Sequence, residues 1–141
     1  MDGVLPSDAA KAPEEGWVRL NDDATVRLTL PARPEFVRIA RLVIAGLAGR
    51  NGFSYEDVED LRIAVDELCY LIVGQIGHDG QVTLTFKVRE DTLEVEGEGE
   101  ASVLELSPFS QRILAAVVDS HDIRPQGTDV AFRFSRRRRT G

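Results

Sequence analysis

Residues 60–73, Asp-Leu-Arg-Ile-Ala-Val-Asp-Glu-Leu-Cys-Tyr-Leu-Ile-Val, constrain the chain more than any other stretch, because their apolar pattern fits a helix and not a strand. Val58, Leu61, Val65, Leu68 and Ile72 recur at steps of three and four, which puts them on one face of a 3.6-residue helix. That face has to be buried. Asp66 and Glu67 fall off it, on an edge that can look into a pocket. The start is equally legible: Ser54 is placed to cap the helix, Asp57 to close a capping box, and Phe53 and Val58 stand at the two positions of a hydrophobic staple. Gly74 and Gly77 mark the end. Cys69, on the apolar side, reads as a small buried hydrophobe; as the single cysteine it forms no internal disulfide and suits a reducing cytoplasm.

The flanking segments supply what this helix packs against. Residues 24–30 alternate Val26, Leu28 and Leu30 with polar side chains, the period of a half-buried strand, and Pro31 ends it. Pro34 suits a first helical turn. Phe36, Val37, Ala40, Val43, Ile44 and Leu47 continue that helix to Gly49 and Gly52, with Arg38 and Arg41 expected on its opposite, exposed side. The short connection to Ser54 makes the two helices antiparallel neighbours. Residues 81–88 and 92–96 alternate around Arg89-Glu90-Asp91 and predict a hairpin. A loop is expected from Gly97 to about Leu106, a third helix from Ser107-Pro108 through Ile113, Leu114, Val117 and Val118, and a last strand over 128–135 with Val130, Phe132 and Phe134 on one side. Single-faced strands in this order imply an α+β fold, a two-layer sandwich of a mostly antiparallel mixed sheet with helices on one face.

At 141 residues this is one domain. A flexible arm is expected over 1–16, the domain over 17–135 beginning near Trp17, and a basic tail over 136–141. No apolar run approaches the roughly 18 residues that span a bilayer, and Met1-Asp2-Gly3 opens no basic-then-apolar leader, so the expected location is the cytoplasm. A net charge of −7, from 17 Lys and Arg against 24 Asp and Glu, repels nucleic acid. The run Arg136-Arg137-Arg138-Arg139 reads as a solvated tail rather than a phosphate-binding patch. His78 reads as a turn residue in His78-Asp79-Gly80; with His121 and Cys69 it completes no ligand spacing, so no metal site is expected.

Leu30-Pro31-Ala32 leading to Ala40-Arg41, followed by residues 60–67, together with the order of elements, resemble the anti-sigma factor kinases of the RsbW and SpoIIAB type, in the superfamily shared with histidine kinases, gyrase B and Hsp90. The resemblance runs from about Thr25 to Phe134. It implies an E-x-x-x-N motif on the second helix, with a catalytic glutamate and an asparagine that binds the magnesium bridging the ATP phosphates. Glu67 holds the glutamate position, but Leu71 stands where the asparagine should be and has no oxygen for a hard cation. The resemblance also implies D-x-G-x-G after a strand, with the aspartate on the adenine amino group. Here Gly97 replaces the aspartate, and of the motif glycines only Gly99 stands in place. The segment 102–108 has no glycine to let phosphates approach, while Glu98, Glu100 and Glu105 oppose an anion.

Two functions follow from the resemblance. The first is an anti-sigma factor that sequesters an alternative sigma factor, is released by a STAS-type anti-anti-sigma partner and needs no cofactor. Arg41 would be its contact to acidic residues of both partners, although a lone helix arginine is more often simply solvated. The second is an active serine/threonine protein kinase that phosphorylates a STAS protein using ATP and magnesium, with Glu67 as the catalytic carboxylate. Glu67 serves equally well as a helix-edge solubilising group. The family pairs its domains, so a homodimer is expected.

Overall fold

The computed structural model describes residues 23–74, 79–103 and 105–139. The expected arm over 1–16, Trp17, Gly77 and His78 lie outside them. Five strands and three helices follow in the order β1 (Asp23–Pro31), α1 (Pro34–Arg50), α2 (Tyr55–Val73), β2 (Gln81–Arg89), β3 (Thr92–Glu100), α3 (Pro108–Val117), β4 (Ser120–Gln126) and β5 (Asp129–Arg137). Among the described residues the strands form one sheet in the order β1-β2-β3-β5-β4 with every neighbouring pair antiparallel, in keeping with the mostly antiparallel sheet expected.

The period-2 pattern decides which face is core. Val82, Leu84, Phe86 and Val88 of β2, Leu93 and Val95 of β3, and Val130, Phe132 and Phe134 of β5 all point inward and are buried. The helices cover that face through Ala40, Ile44 and Ala48 of α1 and through Leu61, Ala64, Val65, Leu68, Leu71 and Ile72 of α2. α3 adds Leu114 and Val117. The opposite face of the sheet carries polar side chains, among them the pairs Lys87–Glu96 at 3.8 Å and Arg133–Glu94 at 3.5 Å. The α2 capping box forms as read: Ser54 Oγ accepts the Asp57 N–H at 3.1 Å, and Asp57 Oδ2 accepts the Ser54 N–H at 3.2 Å. Ser107 caps α3 through the Ser110 N–H at 3.1 Å.

Three expectations about the second half of the chain give way. β3 continues to Glu100, so Gly97 and Gly99 are strand residues and not loop residues. β4 was not foreseen, because its sequence SHDIRPQ has no alternation; it is an exposed edge strand whose Ile123 alone packs on the core, joined to β5 through Gly127 at φ 66°. The arginine run is also no solvated tail from its first residue. β5 extends to Arg137, and the parity of Val130, Phe132 and Phe134 carries Arg136 to the buried side.

Arg136 is 1% exposed. Its guanidinium donates to Asp57 Oδ1, to Asp60 Oδ2 at 2.7 Å and to the Val117 carbonyl oxygen at 2.6 Å. The following residues fasten the same corner: the Arg139 N–H donates to Asp57 Oδ2 at 3.3 Å, and Arg138 Nη1 to the Asn51 carbonyl at 2.8 Å. Burial by itself pushes the Asp57 carboxyl up. The Ser54 and Arg139 N–H groups and the Arg136 guanidinium outweigh that and hold it below its ordinary value. Asp57 therefore caps α2 and also ties it to the last strand.

Candidate functional site

The residues of the expected nucleotide site belong to α2 and β3. Glu67 sits half-buried on the α2 edge and makes no ion pair among the described residues. One turn on, Leu71 is wholly buried in the core. Its carbonyl, one of the orphan acceptors of the last helical turn, takes the N–H groups of Ser102 at 2.7 Å and Val103 at 3.1 Å. Gly74 ends the helix at φ 67°, with its N–H on the Tyr70 carbonyl at 2.9 Å, and a side chain there would run into Ser102. Ala101 and Val103 pack against the core, and Leu106 is 3% exposed. The segment after β3 is thus fastened to the end of α2 where a nucleotide lid was looked for.

Gly97 lies opposite Phe132 in the β3–β5 register, and a Cβ at Gly97 would fall inside the Phe132 ring's contact distance. The ring fills the space that an aspartate side chain would need. A Cβ at Gly99 would come within 2.9 Å of Ile72 Cγ2 and still nearer the Gln81 carbonyl oxygen. Both glycines therefore serve close packing of strand, helix and ring. Gly97 also lines a hollow of about 260 Å³ on the sheet face away from the helices, with Arg27, Thr85, Glu96 and Arg133 around it. The cleft at the end of α2, about 440 Å³, takes in Tyr70, Val103, Leu106 and Pro108 but none of Glu67, Leu71, Gly97 or Gly99. The Leu71 side chain offers no oxygen to a magnesium ion, and Gly97 offers no carboxylate to an adenine amino group. Among the described residues no cluster of His, Cys, Asp and Glu is placed to hold a metal ion, and no helix is long and apolar enough to cross a membrane.

Arg41 does not lie on the far side of α1. It points across the helix pair, where its Nη1 donates to Asp66 Oδ1 of α2 at 2.6 Å; the two side chains are 30% and 47% exposed. The cause is the antiparallel approach of α1 and α2, which turns the flank of each stripe toward the other helix, and no reading of α1 alone reveals it. Arg38 is exposed as expected. Beneath the pair, burial pushes the Cys69 thiol up to about 12, with the Asp66 charge adding and Arg41 opposing, so it stays protonated. Leu42, the residue after Arg41 in α1, is 66% exposed, and Ile63, three residues before Asp66 in α2, is 39% exposed. The structure thus gathers Leu71, Gly99 and the following segment at one end of α2. It leaves Gly97 under Phe132 and sets Arg41 with Asp66 on the outside of the helix layer.

Comparison with known proteins accords with this arrangement. The description "Histidine kinase-like ATPase domain" fits residues 30–108. The serine-protein kinase RsbW of Bacillus pumilus is 45% identical over 75 residues, which cover 50% of this chain and 46% of that protein. That of Listeria innocua is 39% identical over 94 residues, covering 62% and 58%. That of Halalkalibacterium halodurans is 32% identical over 97 residues, covering 68% and 60%. The chain thus spans between 46% and 60% of the length of these curated relatives. The crystal structure of the RsbU and RsbW domains of Rv1364c from Mycobacterium tuberculosis superposes with a TM-score of 0.66 over 82% of this chain and 32% of that one, and at 16% identity it shares the fold. On the match over residues 30–108 and the sheet and helix layer described above, the chain belongs to the histidine kinase-like ATPase domain family.

Proposed function

We propose that the chain is an anti-sigma factor which sequesters an alternative sigma factor, is released by a STAS-type anti-anti-sigma partner, and works without efficient ATP binding. The observation that carries this reading is Leu71: a wholly buried side chain at the metal position, with its carbonyl closed by Ser102 and Val103. Phosphoryl transfer relies on a metal ion to position the phosphates and neutralise their charge, and no ligand for one is present at that place. What remains is a rigid helix layer carrying Arg41, whose planar fork of donors suits a partner's carboxylate. Under this reading the protein is a homodimer, which the nine-residue strand β1, at the sheet edge among the described residues, supports as a pairing edge.

The test has two parts. Calorimetric titration with ATP and magnesium gives no saturable heat at micromolar protein, and purified alternative sigma factors include one that binds and is displaced by a STAS protein. A low-micromolar, magnesium-dependent ATP affinity overturns the cofactor-free part. Absence of binding to every sigma factor overturns the rest. A second reading, a serine/threonine kinase acting on a STAS protein, is favoured by Glu67, which keeps the family's catalytic position, and by the serine-protein kinase names of the relatives. Transfer of labelled phosphate from ATP to a STAS protein would establish it.

A further inference from the structure

The guanidinium that this reading gives to a partner's carboxylate already holds a carboxylate of its own chain. Arg41 meets Asp66 through one nitrogen only, and it has no other polar contact among the described residues. The remaining N–H groups of its fork are uncommitted. Neither side chain is buried, so the pair lies within reach of a docking surface. Asp66 is no loop residue that can swing away: it stands on α2, which is held by its capping box at one end and by the Leu61, Val65 and Leu68 contacts along its length.

We propose that Asp66 is a built-in competitor for Arg41, so that an acidic protein partner binds by displacing Asp66 from the guanidinium. The proposal rests on the anti-sigma reading and adds to it the residue that sets the affinity threshold. A half-exposed, single-nitrogen pair in water is weak. A carboxylate carried on a docking protein surface shuts water away from the same guanidinium and can take two parallel donors, which is the stronger geometry. A free carboxylate in solution lacks that cover and competes against a group tethered at high effective concentration. The exchange therefore favours a carboxylate fixed on a docking protein surface over a free one. Asp66 acts as a specificity residue through Arg41.

The test compares the full chain with Asp66→Asn and Arg41→Glu, and uses Glu35→Gln as a control that removes a charge from α1 away from the pair. The first measurement needs no partner: phenylglyoxal labelling followed by peptide mass spectrometry, with exposed Arg38 as the internal standard. Asp66→Asn raises the labelling rate of Arg41 relative to Arg38; an unchanged ratio overturns the proposal. The second measurement is affinity for purified alternative sigma factors. Asp66→Asn binds about two- to fivefold more tightly, the worth of one half-exposed pair, while Glu35→Gln is unchanged and Arg41→Glu binds more weakly. If Asp66→Asn is unchanged or weaker while Arg41→Glu is still impaired, competition is overturned and the anti-sigma reading stands. Equal tightening by Glu35→Gln assigns the effect to overall charge and also overturns the proposal. A wild-type chain that binds no sigma factor removes the anti-sigma reading, and the partner half of the proposal with it.

Discussion

Replacing Arg136 by alanine strips four acceptors at once: Asp57, 1% exposed, Asp60, 28% exposed, and the Val117 and Arg137 carbonyls. The pair's own net worth is small, because burying two charges costs about what their attraction returns. Removing one partner is different, since the buried Asp57 charge stays behind with only the Ser54 and Arg139 N–H groups to hold it. Such one-sided truncations cost roughly 3 to 5 kcal/mol. Asp60→Asn, at the more exposed end of the same cluster, should cost about 1 kcal/mol or less. The assay is urea unfolding followed by circular dichroism at neutral pH. The pH dependence adds a second reading of the same contact. Asp57 is held below its ordinary value, so its contribution is complete above the unfolded carboxylate pKa of about 3.9 and is lost as pH falls through the lower folded value. Arg136→Ala removes part of what holds it down and should therefore flatten the acid side of the stability profile. An Arg136→Ala variant within about 0.5 kcal/mol of wild type, with an unchanged acid limb, would refute the reasoning.

Leu71→Asn, which puts at this position the asparagine that the resemblance implies, should lower stability by roughly 2 to 5 kcal/mol, because it buries an amide in place of an apolar side chain and leaves a void. Calorimetry should find no magnesium-dependent ATP affinity gained by it. Gly97→Ala drives a methyl against the Phe132 ring and should cost about 1 to 3 kcal/mol in thermal or urea melts; a neutral result would mean that the ring turns aside freely. Ser54→Ala removes the acceptor for the Asp57 N–H and should cost about 1 kcal/mol, read by the same melts.

Local signals were legible wherever one element answers to its own sequence. The Ser54 capping box, the Leu61–Val65–Leu68 stripe and the Val82–Val88 alternation each encode their structure within a few residues, and each is found as expected. What escaped was set by a neighbour. β4 has a weak pattern because it is an exposed edge, and its partner β5 specifies its place more than its own residues do. The burial of Arg136 was encoded in strand parity but masked by the three arginines after it, which make the run look solvated. At the candidate site, the sequence shows a leucine at 71 and a glycine at 97 but not what surrounds them. That Phe132 fills the space over Gly97, and that Arg41 is paired with Asp66, depend on register and on helix packing, which no single segment contains.

The Arg136–Asp57 contact joins residues 79 apart in the chain, and this separates two moments in folding. The α2 helix can form early, since its cap and stripe are local. Its Asp57 must then wait, solvated, until a long loop has closed and β5 has entered between β3 and β4. On this order of events the contact should be absent from the transition state for folding. Changes at Arg136 should therefore accelerate unfolding and leave the folding rate nearly untouched, which makes this corner the kinetic latch of the domain.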